Sequence, residues 1–350
     1  MADFLQQEPH QPPFPLNLPK YRFAIYGCIA VTLGPLTLWF LRRILPGRSV
    51  LLPLRSLEFG PLLAASMLLV ISWSARVLRI WCLIQPSAKS VSPMDFVKTY
   101  LAGVFVSHIT PGAVGGFPLF LFLLHQQGVP AAKSLAANLI DSLNTGVTLG
   151  LLLAAGAVFF HVHGAAAGNW LPAAAIGTTI MIVPALSLLL FAGKISQAAA
   201  EFRRKDLGQR RRTALLAARI AGEIERFEAA VSEFWRDHRP LLLTNLLLNI
   251  LYWTAYLSTA PLLLNAVGGR APWPVMMGNQ LAIQFAQYLI PTPGASGGAE
   301  VAMALLVRRF IAHDRLVTFL FLWRIYTYYI SLLGSSLTIP WAMNLVRKYQ

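Results

Sequence analysis

Thr110-Pro111-Gly112-Ala113-Val114-Gly115-Gly116 interrupts an apolar segment running from Phe96 to His125. Thr292-Pro293-Gly294-Ala295-Ser296-Gly297-Gly298 interrupts a second, from Met276 to Arg308. The two stretches agree at six of seven positions and lie at a constant offset of 182 residues, Thr110 to Thr292. Proline fixes φ and lacks a backbone donor, and glycine opens angles no helix uses. A straight helix through either stretch is therefore not expected, and each remaining half is short against the ~20 residues needed to cross hydrocarbon. The spacing predicts two half-helices at each break, folded as a hairpin that re-enters the side it came from. Lipid cannot satisfy the freed backbone groups, so both breaks belong inside protein or on a wet cavity. Each break is followed by an apolar half-helix and then a full span, which makes an internal repeat.

Six uninterrupted spans are expected around the breaks: Phe23–Leu41, Phe59–Trp81, Leu135–Phe160, Leu171–Ala192, Leu241–Val267 and Val317–Ala342. Composition agrees. The chain has 350 residues, 56% hydrophobic and 12% charged, against about a quarter charged in soluble domains. That excludes an ordinary soluble enzyme and a disordered chain, and it predicts an all-α, polytopic integral membrane protein. The net charge of +15 would point to nucleic acid in a soluble domain. In a membrane protein it reads as basic loops beside anionic lipid, so membrane lipids and not nucleic acid are the expected partners. The two cysteines, Cys28 and Cys82, form no CxxC and no cluster with histidine. No metal or cofactor is expected.

The chain divides into a Pro-rich tail (1–20) without the pattern of a signal peptide, a first membrane half (21–193), a basic connector (194–239) and a second membrane half (240–350). The connector carries Arg203-Arg204-Lys205 and Arg210-Arg211-Arg212. From Thr213 to Trp235 its apolar residues recur at helical spacing (Leu216, Ile220, Ile224, Phe227, Val231, Phe234), as in an amphipathic surface helix. A solvated basic loop obeying the positive-inside rule and a site for anionic lipid both fit it. With the connector in the cytoplasm, both termini are inside. The first hairpin then enters from the inside and the second from the outside, so the two repeats are inverted, a common transporter architecture.

Charges inside apolar segments mark function or buried pairs. Asp141 sits early in the third span and Glu300 just after the second break. Glu300 is either a carboxylate favourably placed at a helix N-terminus or a proton- or cation-linked switch. Arg324, in Trp323-Arg324-Ile325-Tyr326-Thr327-Tyr328-Tyr329, has Glu300, Asp141 or a lipid phosphate as candidate partners. Arg76 and Arg79 share one helix face, and either snorkel to the inner interface or capture a headgroup. The Gly-rich breaks supply exposed N–H groups at half-helix starts, although glycine also serves close helix packing. His161 and His163 fall in an expected outer loop, where a metal site is the sharper alternative to a plain loop.

These residues resemble the lysylphosphatidylglycerol synthase transmembrane family. The resemblance rests on Ala75-Arg76-Val77-Leu78-Arg79-Ile80-Trp81, Thr110-Pro111-Gly112 with Gly115-Gly116, Gly128-Val129, Pro291-Thr292-Pro293-Gly294 with Gly297 and Glu300, and Leu322-Trp323-Arg324 with Thr327-Tyr328-Tyr329. It covers about residues 20 to 345, leaving no stretch for the soluble acyltransferase domain of the multiple-peptide-resistance proteins. The expectation is therefore a stand-alone, flippase-like membrane domain. The chain is also similar to the hopanoid-cluster proteins of Gram-negative bacteria in that family. The family often has Gly-Gly-Glu-Pro in the first half and Arg after the acidic residue of the next span, where this chain has Phe117 before Pro118 and Ser142 after Asp141.

The resemblance implies movement of lipids or lipid-linked molecules across a bacterial inner membrane. The candidate lipid and headgroup residues are Arg76, Arg79, Pro111, Gly112, Gly115, Gly116, Asp141, Pro293, Gly294, Gly297, Gly298, Glu300, Arg324 and Tyr328. The head is expected near Glu300, Arg324 and the glycine N-termini. A membrane scaffold for lipid (hopanoid) biosynthesis, partnering other lipid-biosynthetic membrane proteins, and an intramembrane lipid-dependent transferase are the alternatives. Enzymatic activity is not expected.

Overall fold

The computed structural model describes residues 56–162 and 211–348, with isolated positions at 32, 36, 39, 179 and 183. Apart from those five positions, the Pro-rich tail and the expected spans Phe23–Leu41 and Leu171–Ala192 lie outside the described residues, as does His163. The described elements are helical: α1 (Phe59–Ile84), α2 (Pro93–Ile109), α3 (Gly116–Gln126), α4 (Ala131–Val162), α5 (Arg211–Asp237), α6 (Arg239–Ala266), α7 (Trp273–Ala286), α8 (Gly298–Val307), α9 (His313–Arg324), a π-helical segment (Ile325–Tyr329), α10 (Ile330–Ser336) and α11 (Ile339–Lys348). Among the described residues four stretches are long and apolar enough to cross a membrane: Phe59–Ser87, Ala131–Phe159, Arg239–Ala266 and His313–Ser336. The chain is a multi-pass membrane protein.

Local chemistry sets the boundaries. Pro93 opens α2 at a position where its missing N–H costs nothing, and the Ser92 hydroxyl accepts the Asp95 N–H at 3.1 Å. α2 then stops at Ile109, two residues before Pro111. α7 stops at Ala286, earlier than the motif alone implies. A second proline, Pro291, precedes Thr292 there, and the residue before a proline avoids helical angles. α3 and α8 have 11 and 10 residues, too short to span alone.

The elements recur in order. α3 and α8 start 182 residues apart (116 to 298), as do α4 and α9 (131 to 313). α1 and α6 start 180 apart (59 to 239), as do α2 and α7 (93 to 273). The most extensive helix contact among the described residues joins the equivalent helices α1 and α6. Their buried positions include small residues, Ala65 and Ala260 in one apolar core, which let two helices approach closely.

One expectation needs correction. The last span does not run on to Ala342. It ends at Ser336, and Ala342 sits in the separate helix α11, whose buried face packs on Ala102 of α2 and Leu123 of α3. Pro340 at the second position of α11 cannot continue the hydrogen-bond ladder from the preceding span. The connector helix is α5, and the described part of its apolar stripe packs on protein. Phe227, Ala230, Val231 and Phe234 are buried against Ile84, Val129 and Ala132, and Lys133 pairs with Glu233 at 3.1 Å.

Candidate functional site

The two breaks meet. Pro111 and Pro293 form an isolated antiparallel bridge. Each break is built on the same tight turn, in which the Ala113 N–H donates to Thr110 O (3.1 Å) and the Ala295 N–H to Thr292 O (2.9 Å). Proline at the second position and glycine at positive φ at the third (Gly112 +62°, Gly294 +59°) is the type II pattern. Ala113 and Ala295 follow at φ 57° and 53°, an unfavourable region for a residue with a Cβ. The backbone repeat thus extends beyond the shared letters.

Close packing holds the glycines. A Cβ on Gly116 would overlap the Ser107 hydroxyl and the Gly103 carbonyl, which fixes α3 against α2. A Cβ on Gly294 would overlap the Tyr328 ring. Gly115 and Gly298 lie close to the side chains of Thr110 and Ile290. Gly115, Gly116, Gly294 and Gly298 therefore serve packing, and Gly112 has ordinary room, with Tyr288 O at 3.5 Å from such a Cβ.

Between the breaks lies a cavity of about 370 Å³. α1 contributes Ser72, Trp73 and Arg76. The first break and its flanks contribute Ser107, His108, Gly112, Ala113 and Phe117. α6 lends Tyr252 and Tyr256. The second break and its flanks lend Gln284, Gln287, Tyr288, Thr292, Gly294 and Ala295. The π segment places the consecutive residues Tyr326, Thr327 and Tyr328 on the wall. A regular helix would turn three successive side chains through 200° or so; π segments in helices recur at functional sites.

Among the described residues Arg76 is the one arginine or lysine on this wall, and none of the lining residues is acidic. Its Nε donates to the Tyr100 hydroxyl at 2.8 Å. Its guanidinium lies 5.8 Å from the Tyr100 ring and 6.0 Å from the Tyr252 ring, within cation–π range. It stands eight residues before the end of α1 at Ile84, about 12 Å along the axis, and it turns into the protein.

Arg79 is held by an ion pair and hydrogen bonds. Its Nη2 pairs with Asp141 at 3.4 Å, with the side chains 11% and 7% exposed. Nη1 donates to Thr145 (3.2 Å) and to the Asn249 side-chain carbonyl. The other Asp141 oxygen accepts from Asn245 (2.9 Å) and Asn249 (3.2 Å). α1, α4 and α6 are thus joined by a buried polar knot outside the cavity. Sequence reading found Asp141 and Arg79 but missed Asn245 and Asn249, whose four-residue spacing on an apolar helix puts two amides on one face. It also missed Tyr100, Tyr252 and Tyr256.

Glu300 and Arg324 form a second buried pair, Oε1 to Nε at 2.7 Å, with the side chains 0% and 2% exposed. The second Glu300 oxygen accepts the Gly297 N–H at 2.8 Å, the reach-back half of a capping box. Neither residue lines the cavity. Tyr328 stands between: the Arg324 guanidinium lies 5.3 Å from its ring, and its hydroxyl donates to His108 O at 3.2 Å. Of the fourteen candidates, only Arg76, Gly112, Gly294 and Tyr328 line the cavity.

The model of the lysylphosphatidylglycerol synthase transmembrane region matches residues 27–334. The chain belongs to that family. It is 25% identical over 296 residues to a "UPF0104 membrane protein" of Archaeoglobus fulgidus, covering 81% of this chain and 86% of the relative. No solved structure matches it. Against the pattern expected of this lysylphosphatidylglycerol synthase membrane region, the departure at Phe117-Pro118 falls on the cavity wall, where Phe117 supplies apolar surface. At the other departure Ser142 bonds only within its own helix, to Asn138 O at 2.8 Å.

Proposed function

We propose that this protein moves lipids or lipid-linked molecules between the leaflets of a bacterial inner membrane, without chemistry on the cargo. The observation that carries the reading is the cavity between the two breaks. It is of the size of small-ligand sites, large enough for a polar head and too small for acyl chains, which would stay in lipid. The repeat is read as inverted: equivalent prolines pair in antiparallel sense and equivalent helices α1 and α6 lie together, as in transporters whose broken helices meet at a central site. Both broken segments are read as re-entrant hairpins, and rocking of one repeat against the other would expose the site alternately. Both termini are placed in the cytoplasm on the basic connector. Resemblance leaves hopanoid or phospholipid as cargo.

The test is reconstitution of the full chain in liposomes with fluorescent phospholipid, followed by chemical quenching of the outer leaflet. The expected result is quenching beyond the outer-leaflet fraction in protein-containing vesicles only. Quenching that stops at the outer-leaflet fraction, for headgroups of every charge, overturns the reading.

A further inference from the structure

We infer that the cavity receives an anionic, phosphate-bearing lipid headgroup on Arg76. This rests on the reading above that a lipid head enters the cavity, and it names the class of head. A cation at membrane depth is costly unless something balances it. The other two deep arginines are balanced, Arg79 by Asp141 and Arg324 by Glu300. Arg76 is not: among the described residues no carboxylate lies within ion-pair reach of it, and none lines the cavity.

Its fork is also presented for use. Tyr100 holds Nε, which leaves both Nη groups without a hydrogen-bond partner among the described residues. Two such N–H groups side by side match two oxygens of a phosphate. The Tyr252 and Tyr288 hydroxyls, also on the wall, make no hydrogen bond among the described residues and can donate to the same anion. His108 Nδ1 lies 2.7 Å from Val104 O, so that nitrogen donates to the backbone and is not offered to the anion. An uncharged head would leave Arg76 uncompensated, and a cationic head would meet it with like charge.

The test uses the full chain in detergent, titrated with short-chain phosphatidylglycerol, short-chain phosphatidic acid, uncharged short-chain diacylglycerol and inorganic phosphate, with tryptophan fluorescence as readout because Trp73 lines the cavity. The two anionic lipids are expected to bind, diacylglycerol not to compete, and Arg76→Gln to weaken anionic binding by about ten-fold or more, the size of one lost charge-assisted contact. Arg76→Lys, which keeps the charge but not the fork, should keep only part of it. Equal binding of diacylglycerol overturns the proposal, as does undiminished binding by folded Arg76→Gln. Inorganic phosphate binding as tightly as the lipids overturns the lipid source. Should Arg76→Gln fail to fold, the competition on the natural chain decides alone. Binding through Arg76 with no transfer between leaflets sinks the transport reading and leaves the site standing; transfer of an uncharged lipid with no anionic binding does the reverse.

Discussion

Arg324 and Glu300 are enclosed to within a few percent, and the pair ties the start of α8 to the end of α9. A buried pair is not in itself a large source of stability, because desolvation offsets attraction, but an unpaired survivor is costly. Arg324→Met is therefore expected to lower stability by about 3–5 kcal/mol. Glu300→Leu combined with Arg324→Met should recover most of that loss, measured by thermal unfolding in detergent. If the double variant is as unstable as the single one, Glu300 is not the group that Arg324 balances. The sequence already exposed these charges, since lipid admits so few. Their pairing was half legible: Glu300 and Arg324 are 24 residues apart across one turn between helices, whereas Arg79 meets Asp141 only because α1 and α4 pack side by side.

At the scale of elements, the breaks separate two kinds of glycine requirement. Gly112 and Gly294 share the same left-handed angle, so alanine at either adds about 1–2 kcal/mol of backbone strain. Only at Gly294 does the added methyl also meet a ring, that of Tyr328. Gly294→Ala is thus expected to be the more destabilising by about 1–3 kcal/mol, the usual cost of overpacking. Tyr328→Ala in the Gly294→Ala background should remove the difference from Gly112→Ala but not the shared part. Equal effects of the two glycine substitutions would show that the ring contact is not the constraint. Proline and glycine announce such breaks in sequence because they remove donors and change angles. The π segment at Ile325–Tyr329 was not announced, because no residue type in it forbids an ordinary helix; the extra residue per turn is set by packing, with Tyr326 bonded to Ser66 of α1 at 2.8 Å.

Across the whole molecule the repeat is regular in backbone and unequal in bracing. At the offset of 182, Pro118 stands where the second half has Glu300, and Ser142 where it has Arg324. The second half-helix is held by a buried ion pair and by the Gly297 N–H on Glu300. The first lacks both, and the bond entering α3, Leu119 N–H to Gly115 O, is long at 3.4 Å. What holds α3 instead is the Gly115 N–H on the Thr110 hydroxyl at 3.2 Å and the close approach of Gly116 to Gly103 and Ser107. Sequence comparison of the halves shows the substitution, but not that the missing partners belong to one contact. Local opening draws on the least supported segments, so residues 110–126 are expected to exchange their amide hydrogens faster than residues 292–307, read by mass spectrometry on the protein in nanodiscs. Glu300→Gln should raise exchange across 292–307 while leaving 110–126 near its starting rate, since the brace serves one half only. Faster exchange in the second segment of the unaltered chain would mean that steric packing at Gly116 outweighs the buried pair, and that the second break is the one that opens.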